Sequence, residues 1–146
     1  MRSDPRHRAA WRSGALIAVL AAGCALNVGP PPIVEGTPCA ACDMAVRDLR
    51  YACERPVGRA WRVYDSIECL LRETVPGERA WLTDYDTRTL HAAESVWVAR
   101  GEFPSPMGGG YAGFLDRAAA VEIASGTRGR VARLAAFMVA GAEEGP

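Results

Sequence analysis

Residues 60–74 read Ala60-Trp61-Arg62-Val63-Tyr64-Asp65-Ser66-Ile67-Glu68-Cys69-Leu70-Leu71-Arg72-Glu73-Thr74. The aromatic and β-branched run Ala60–Tyr64 predicts a strand. Asp65 and Glu68 form a D-x-x-E capping box, which predicts a helix start at Asp65. Ile67, Leu70, Leu71 and Thr74 then fall at i, i+3, i+4 and i+7 on one helical face. Pro76-Gly77 ends that helix, and Arg79–Asp84 reads as the next strand. Upstream, Arg50–Cys53 predicts a strand that turns through Arg55-Pro56-Val57-Gly58.

Working outward, the same order recurs. Val96–Ala99 predicts a strand, residues 101–110 a long Pro/Gly loop, and Tyr111–Leu115 another strand. Asp116 is the next N-cap. Ala119, Ala120, Ile123 and Ala124 make the apolar helical face, Gly126 stops the helix, and Val131–Leu134 closes the unit as a strand. The two N-cap aspartates lie about 50 residues apart, the signature of an internal repeat. Two strand-strand-helix-strand (ββαβ) units imply a small α+β domain with helices covering sheet faces. Residues 135–146 carry no clear pattern, and residues 141–146 read as a flexible tail.

The chain has 146 residues, 49% of them apolar and 23% charged, enough for one folded core. Its 17 basic and 17 acidic residues balance, which argues against a nucleic-acid partner. Every basic residue is arginine, so lysine Schiff-base chemistry and a P-loop are excluded. The two histidines, His7 and His91, are too few for a multi-histidine zinc site or an HExxH protease. No G-x-S-x-G motif offers a serine nucleophile.

The N-terminus reads as an address. Arg2, Arg6, Arg8 and Arg12 precede the short apolar run Ala15–Ala22, the pattern of a secretory signal and too short to span a membrane. The run ends Leu20-Ala21-Ala22-Gly23-Cys24, which resembles a bacterial lipoprotein cleavage box. That resemblance implies a signal peptide over 1–23, lipid on Cys24, and a membrane anchor facing the periplasm. Ala25, where an aspartate is linked to inner-membrane retention, points to the outer membrane. Cleavage would remove four arginines against one aspartate and leave a mildly acidic chain with His91 as its imidazole. Residues 24–38, with Pro30-Pro31-Pro32, then form a lipidated, Pro-rich tether, and the folded domain spans 39–140.

Sulfur is the unusual feature. Cys39-Ala40-Ala41-Cys42-Asp43-Met44 packs two thiols and a thioether into six residues, and Met107 stands in Pro106-Met107-Gly108-Gly109-Gly110. A methionine followed by three glycines is poorly placed for core packing, and the glycines allow close backbone approach. Three readings of this sulfur stay open. Cys39 and Cys42 can be an exported disulfide or a thiol-disulfide oxidoreductase pair, or Cys42 as a thiolate can join the thioethers of Met44 and Met107 in a soft ligand set that selects Cu(I). The i, i+2 spacing lets Cys42 and Met44 face one centre if the segment is bent or extended. Cys53 and Cys69 are sixteen residues apart, not the second C-x-x-C of a zinc ribbon. Cys69, inside the first helix, reads as buried core, His91 as a surface residue, and Arg128, Arg130 and Arg133 as a solvated face. Trp61, Trp81 and Trp97 read as core residues on strands.

With Val63-Tyr64-Asp65-Ser66, Trp97-Val98, Phe114-Leu115-Asp116-Arg117-Ala118-Ala119-Ala120 and Gly129-Arg130-Val131 in the same order, the chain resembles the NosL family from Cys39 to Leu134. These are lipoprotein accessory factors of nitrous-oxide reductase. The resemblance implies an exported, non-enzymatic Cu(I) metallochaperone that delivers copper to a copper enzyme or its membrane assembly complex, with no small-molecule substrate. It places the metal on Cys42, Met44 and Met107, with Cys39 as a secondary ligand or a disulfide partner. It also implies two ββαβ-type units. Asp43 departs from the family, where glycine is common, and Cys53 and Cys69 are extras.

Overall fold

A computed structural model describes residues 29–143 of the chain. The signal segment, Cys24 and its lipid attachment lie outside the described residues.

The fold is α+β. Strands β1 (Cys53–Val57) and β2 (Ala60–Tyr64) lead into helix α1 (Ile67–Glu73), followed by β3 (Trp81–Thr83) and β4 (Leu90–Ala92). After a 3-10 turn at Ala93–Ser95 come β5 (Trp97–Arg100), β6 (Tyr111–Phe114), α2 (Arg117–Ser125), β7 (Arg130–Ala132) and α3 (Leu134–Glu143). The sheets run β2-β1-β3-β4 and β6-β5-β7. In each unit the first strand sits between the second and the third, and all these pairs are antiparallel. The repeated ββαβ order is therefore also a repeated topology.

Several boundaries differ from the sequence reading for local reasons. β1 begins where a strand was expected to end and runs through Arg55 and Pro56, so the turn is Gly58-Arg59, with Gly58 at φ 61°. Proline is tolerated at position 56 because β3 pairs only with Cys53 and Glu54, leaving that flank of β1 as an edge. The first N-cap is Ser66, not Asp65: the Ser66 hydroxyl accepts from the Cys69 amide at 3.3 Å. Asp116 caps α2 as expected, accepting from the Ala118 amide, and Gly126 ends it. Helix α3 occupies a stretch with no amphipathic pattern: Leu134 and Phe137 are buried, but the other faces also carry apolar or small residues, so no stripe betrays it. Trp61, Trp81 and Trp97 do lie on strands, half-buried rather than fully enclosed.

The main core joins both sheets. Cys53, Tyr64, Ile67, Leu70, Leu82, Val96, Val98, Leu134 and Phe137 form one buried cluster, and a second lies under α2 around Ala99, Ala112, Phe114 and Ala120. The sheets meet where β6 passes the end of β3. The Tyr85 amide donates to the Gly113 carbonyl at 2.8 Å, and the Leu115 amide donates to Asp84 Oδ1 at 2.8 Å. A Cβ on Gly113 would stand 2.9 Å from the Thr83 carbonyl oxygen, so a side chain there would push the sheets apart. Among the described residues, no helix is long and apolar enough to cross a membrane.

Candidate metal centre

The segment before β1 is shaped by backbone bonds rather than by a helix. Pro38 and Ala45 form an isolated antiparallel bridge. Inside it the Cys39 amide donates to the Met44 carbonyl at 2.8 Å, and the Asp43 amide donates to the Cys39 carbonyl at 2.9 Å. Closing so tight a loop puts Asp43 at φ 59°, a left-handed conformation that aspartate tolerates better than most residues. The Ala40 amide donates to the Val63 carbonyl at 2.8 Å, which docks the loop on β2 immediately before Asp65.

That docking brings four side chains together. The ligand atoms of Cys39, Cys42, Asp65 and Cys69 all lie within 4.8 Å of one another, and together they can hold a metal ion. Cys39 and Cys69 are completely buried, Asp65 is 4% exposed, and Cys42 is half-buried. Cys42 Sγ lies 3.9 Å from Asp65 Oδ2 as a weak donor, whereas Asp65 Oδ1 is buried without any hydrogen-bond partner. An orphaned carboxylate oxygen among three thiols fits a cation better than it fits an empty core. All four described cysteines are free thiols. Burial pushes the Cys39 and Cys69 thiols up, so an ion entering here must displace protons.

Cys53 is buried beside this group, and its thiol donates to the Ser66 carbonyl at 3.3 Å. It braces the N-cap of α1 and stays outside the four-residue set. Burial raises its thiol strongly as well.

The expected ligands are placed as follows. Cys42 belongs to the cluster. Met44 is 46% exposed and lines an open cavity of about 400 Å³ that Asp65, Arg50, Tyr51 and Pro104–Pro106 also line. Met107 is half-buried and packs on the core cluster that contains Cys39 and Cys69. Its loop is held against α1 by Glu68, whose Oε1 accepts from the Ser105 hydroxyl at 2.7 Å and from the Gly109 amide at 3.0 Å. A Cβ on Gly109 would lie 2.7 Å from the Glu68 side chain, so glycine permits that contact. The Tyr51 hydroxyl adds a bond to the Pro104 carbonyl at 2.8 Å. His91 lies on β4, its Nε2 2.7 Å from the Thr89 hydroxyl, and is not among the cluster's ligands.

Replacing Glu68 by alanine deletes two bonds to one loop. The expected result is amide exchange at Gly109 about ten- to a hundredfold faster, with α1 retained, read by hydrogen exchange. Unchanged exchange would mean that the loop is held by other contacts.

Sequence reasoning gave Asp65 and Glu68 to helix capping. Because the cap falls one residue later, on Ser66, both carboxylates are released: one joins the thiols and the other clamps the Met107 loop. The available signal was Ser66 itself, which offers an alternative cap with Cys69 at the third helical position. No family model matches the chain, and no curated protein matches it.

Proposed function

We propose that this protein is an exported, lipid-anchored Cu(I)-binding metallochaperone that delivers copper for assembly of a copper enzyme. Its resemblance to the NosL family makes nitrous-oxide reductase the expected recipient. The observation that carries the reading is the convergence of Cys39, Cys42, Cys69 and Asp65 within 4.8 Å, with half-buried Cys42 as the most accessible thiol. Soft sulfur donors favour Cu(I) over hard cations. Met44, on the open cavity that Asp65 shares, and Met107, on the clamped loop, are further soft donors for a metal entering or leaving through Cys42. Asp43 is left-handed, a conformation that glycine adopts freely, and this accords with glycine being common there in the family the chain resembles.

Full burial of Cys39, with its thiol pushed up, disfavours a nucleophilic thiolate there and so disfavours the thiol-disulfide oxidoreductase reading.

One feature favours a second reading. Asp65 is a hard donor, and three cysteines with a carboxylate suit a structural, tetrahedral zinc site. Reduced, metal-free protein should therefore be titrated with Cu(I) against a chromogenic chelator, and separately with Zn²⁺. The expected outcome is one tightly held Cu(I) per chain that displaces zinc and passes to a competing thiol acceptor. Zinc retained in the presence of excess Cu(I) would establish the structural site instead. Copper retention no greater than that of a protein without a metal site, or catalytic reduction of insulin disulfides, would reject the chaperone.

A further inference from the structure

A second polar site lies on the other side of the Met107 loop, at the open ends of β5 and β7. Arg100 and Arg130 are directly opposed in the antiparallel register of these strands. Like charges at opposed positions repel, and such pairs are normally avoided. Neither guanidinium has a carboxylate partner among the described residues. Instead aromatic faces hold them: Arg100 lies 5.3 Å from the Tyr111 ring centroid and Arg130 4.2 Å from that of Phe137. Those two rings pack edge to face at 5.4 Å, so both cations are fixed on one aromatic pair.

Between them opens a pocket of about 500 Å³, completed by Thr127, Arg128, Glu102 and backbone of Gly101, Gly108, Gly109 and Gly129. Glu102, the carboxylate on its wall, is already engaged: both its oxygens accept from Arg128 at 2.8 Å. Arg128 has φ 51°, a left-handed conformation that costs an arginine about 1 kcal/mol or more and that glycine would adopt freely. Gly129 is needed because an added Cβ would collide with the Arg100 carbonyl. The turn thus brings the β7 arginine close to the β5 backbone instead of splaying the charges apart.

We propose that Arg100 and Arg130 bind a phosphate group in this pocket. Each guanidinium offers a fork of N–H donors, and a tetrahedral oxyanion accepts from both while cancelling their repulsion. The shared chemistry is the phosphate oxygens, whether of a free monoester or of a phosphodiester headgroup. The site involves no cysteine and stands independently of the metal reading.

The test uses the full chain, metal-free, titrated at constant ionic strength with inorganic phosphate and separately with glycerophosphoglycerol, a soluble phosphodiester. Wild type is expected to bind one of them saturably, and Arg100→Gln and Arg130→Gln each to weaken that binding about tenfold or more. Preference for inorganic phosphate assigns a free anion; preference for the diester assigns a lipid headgroup. In phosphate-free buffer Arg130→Gln should melt at or above the wild-type temperature, because the repulsion is gone, and phosphate should raise the melting temperature of wild type alone. No saturable binding of either compound, or equal binding by wild type and both variants, overturns the site.

Discussion

Replacing Cys69 by serine is expected to lower Cu(I) affinity by about a hundred- to a thousandfold, the share of one thiolate in a site of a few ligands. The side chain is completely buried, and its Sγ lies within 4.8 Å of the other three ligand atoms. Serine keeps the volume and the backbone amide that Ser66 caps, so α1 should persist in far-ultraviolet circular dichroism. Cys42→Ser should cost as much. Cys53→Ser is the matched control: it is equally buried but lies outside the ligand group, and it should leave affinity unchanged. Met44→Ala and Met107→Ala remove neutral thioethers and should cost less than either ligand cysteine. The opposite ranking, with Cys69 silent and Met107 dominant, would move the metal to the Cys42, Met44 and Met107 set. Competition against a chromogenic Cu(I) chelator reads all five variants.

The second large effect concerns Glu54. Alternation along β1 turns Cys53 into the core and Glu54 to the opposite face. There Glu54 pairs in register with Val63 and Trp81, on the face where Trp61 and Trp81 meet edge to face at 5.1 Å. The carboxyl is completely buried, and neither oxygen has a hydrogen-bond partner. Desolvation pushes it up to about 7 from an ordinary 4.5. Between those values the folded chain holds a proton that the unfolded chain has released. Stability on this account is greatest below pH 4.5 and falls as pH rises through about 7, by roughly 3 kcal/mol in all. Glu54→Gln removes that slope. It should match wild type near pH 4 and exceed it by roughly 3 kcal/mol at pH 8. Urea unfolding of both proteins across this range decides the matter, and parallel stability curves would show that Glu54 is solvated or paired.

Opposite forces act at Asp84, another buried carboxylate of the first unit. Asp84 is also enclosed, but it accepts from the Leu115 amide and from the amide and hydroxyl of Thr87. Against the cost of burial, these bonds hold its carboxyl below the usual range. Glu54 and Asp84 thus differ because Asp84 has three donors and Glu54 has none.

Periodicity along the chain carried the architecture. The strand Ala60–Tyr64, the Asp116 cap, the Gly126 stop and the repeated ββαβ order all follow from interactions within a few residues. Elements without such a signature were missed. β4 has three half-buried residues and no alternation, and α3 is apolar all round. Of the candidate metal centre, Cys42 was legible as a soft donor and Cys39 as its secondary ligand or disulfide partner, but Cys69 looked like an ordinary core residue and Asp65 like a cap. Asp65, four residues before Cys69, shares the cluster with it but read as a cap rather than as a ligand.

The sequence alone determined the α+β class, the two units and the segments that carry sulfur, because hydrophobic period and capping chemistry are local. Only the tertiary structure decided which side chains share a centre. One hydrogen bond from Ala40 to Val63 folds the cysteine loop onto β2, and a cap shifted by a single residue frees Asp65 to join it. The docking bond joins residues more than twenty positions apart, which no local pattern records, whereas the cap shift is local and Ser66 alone signalled it.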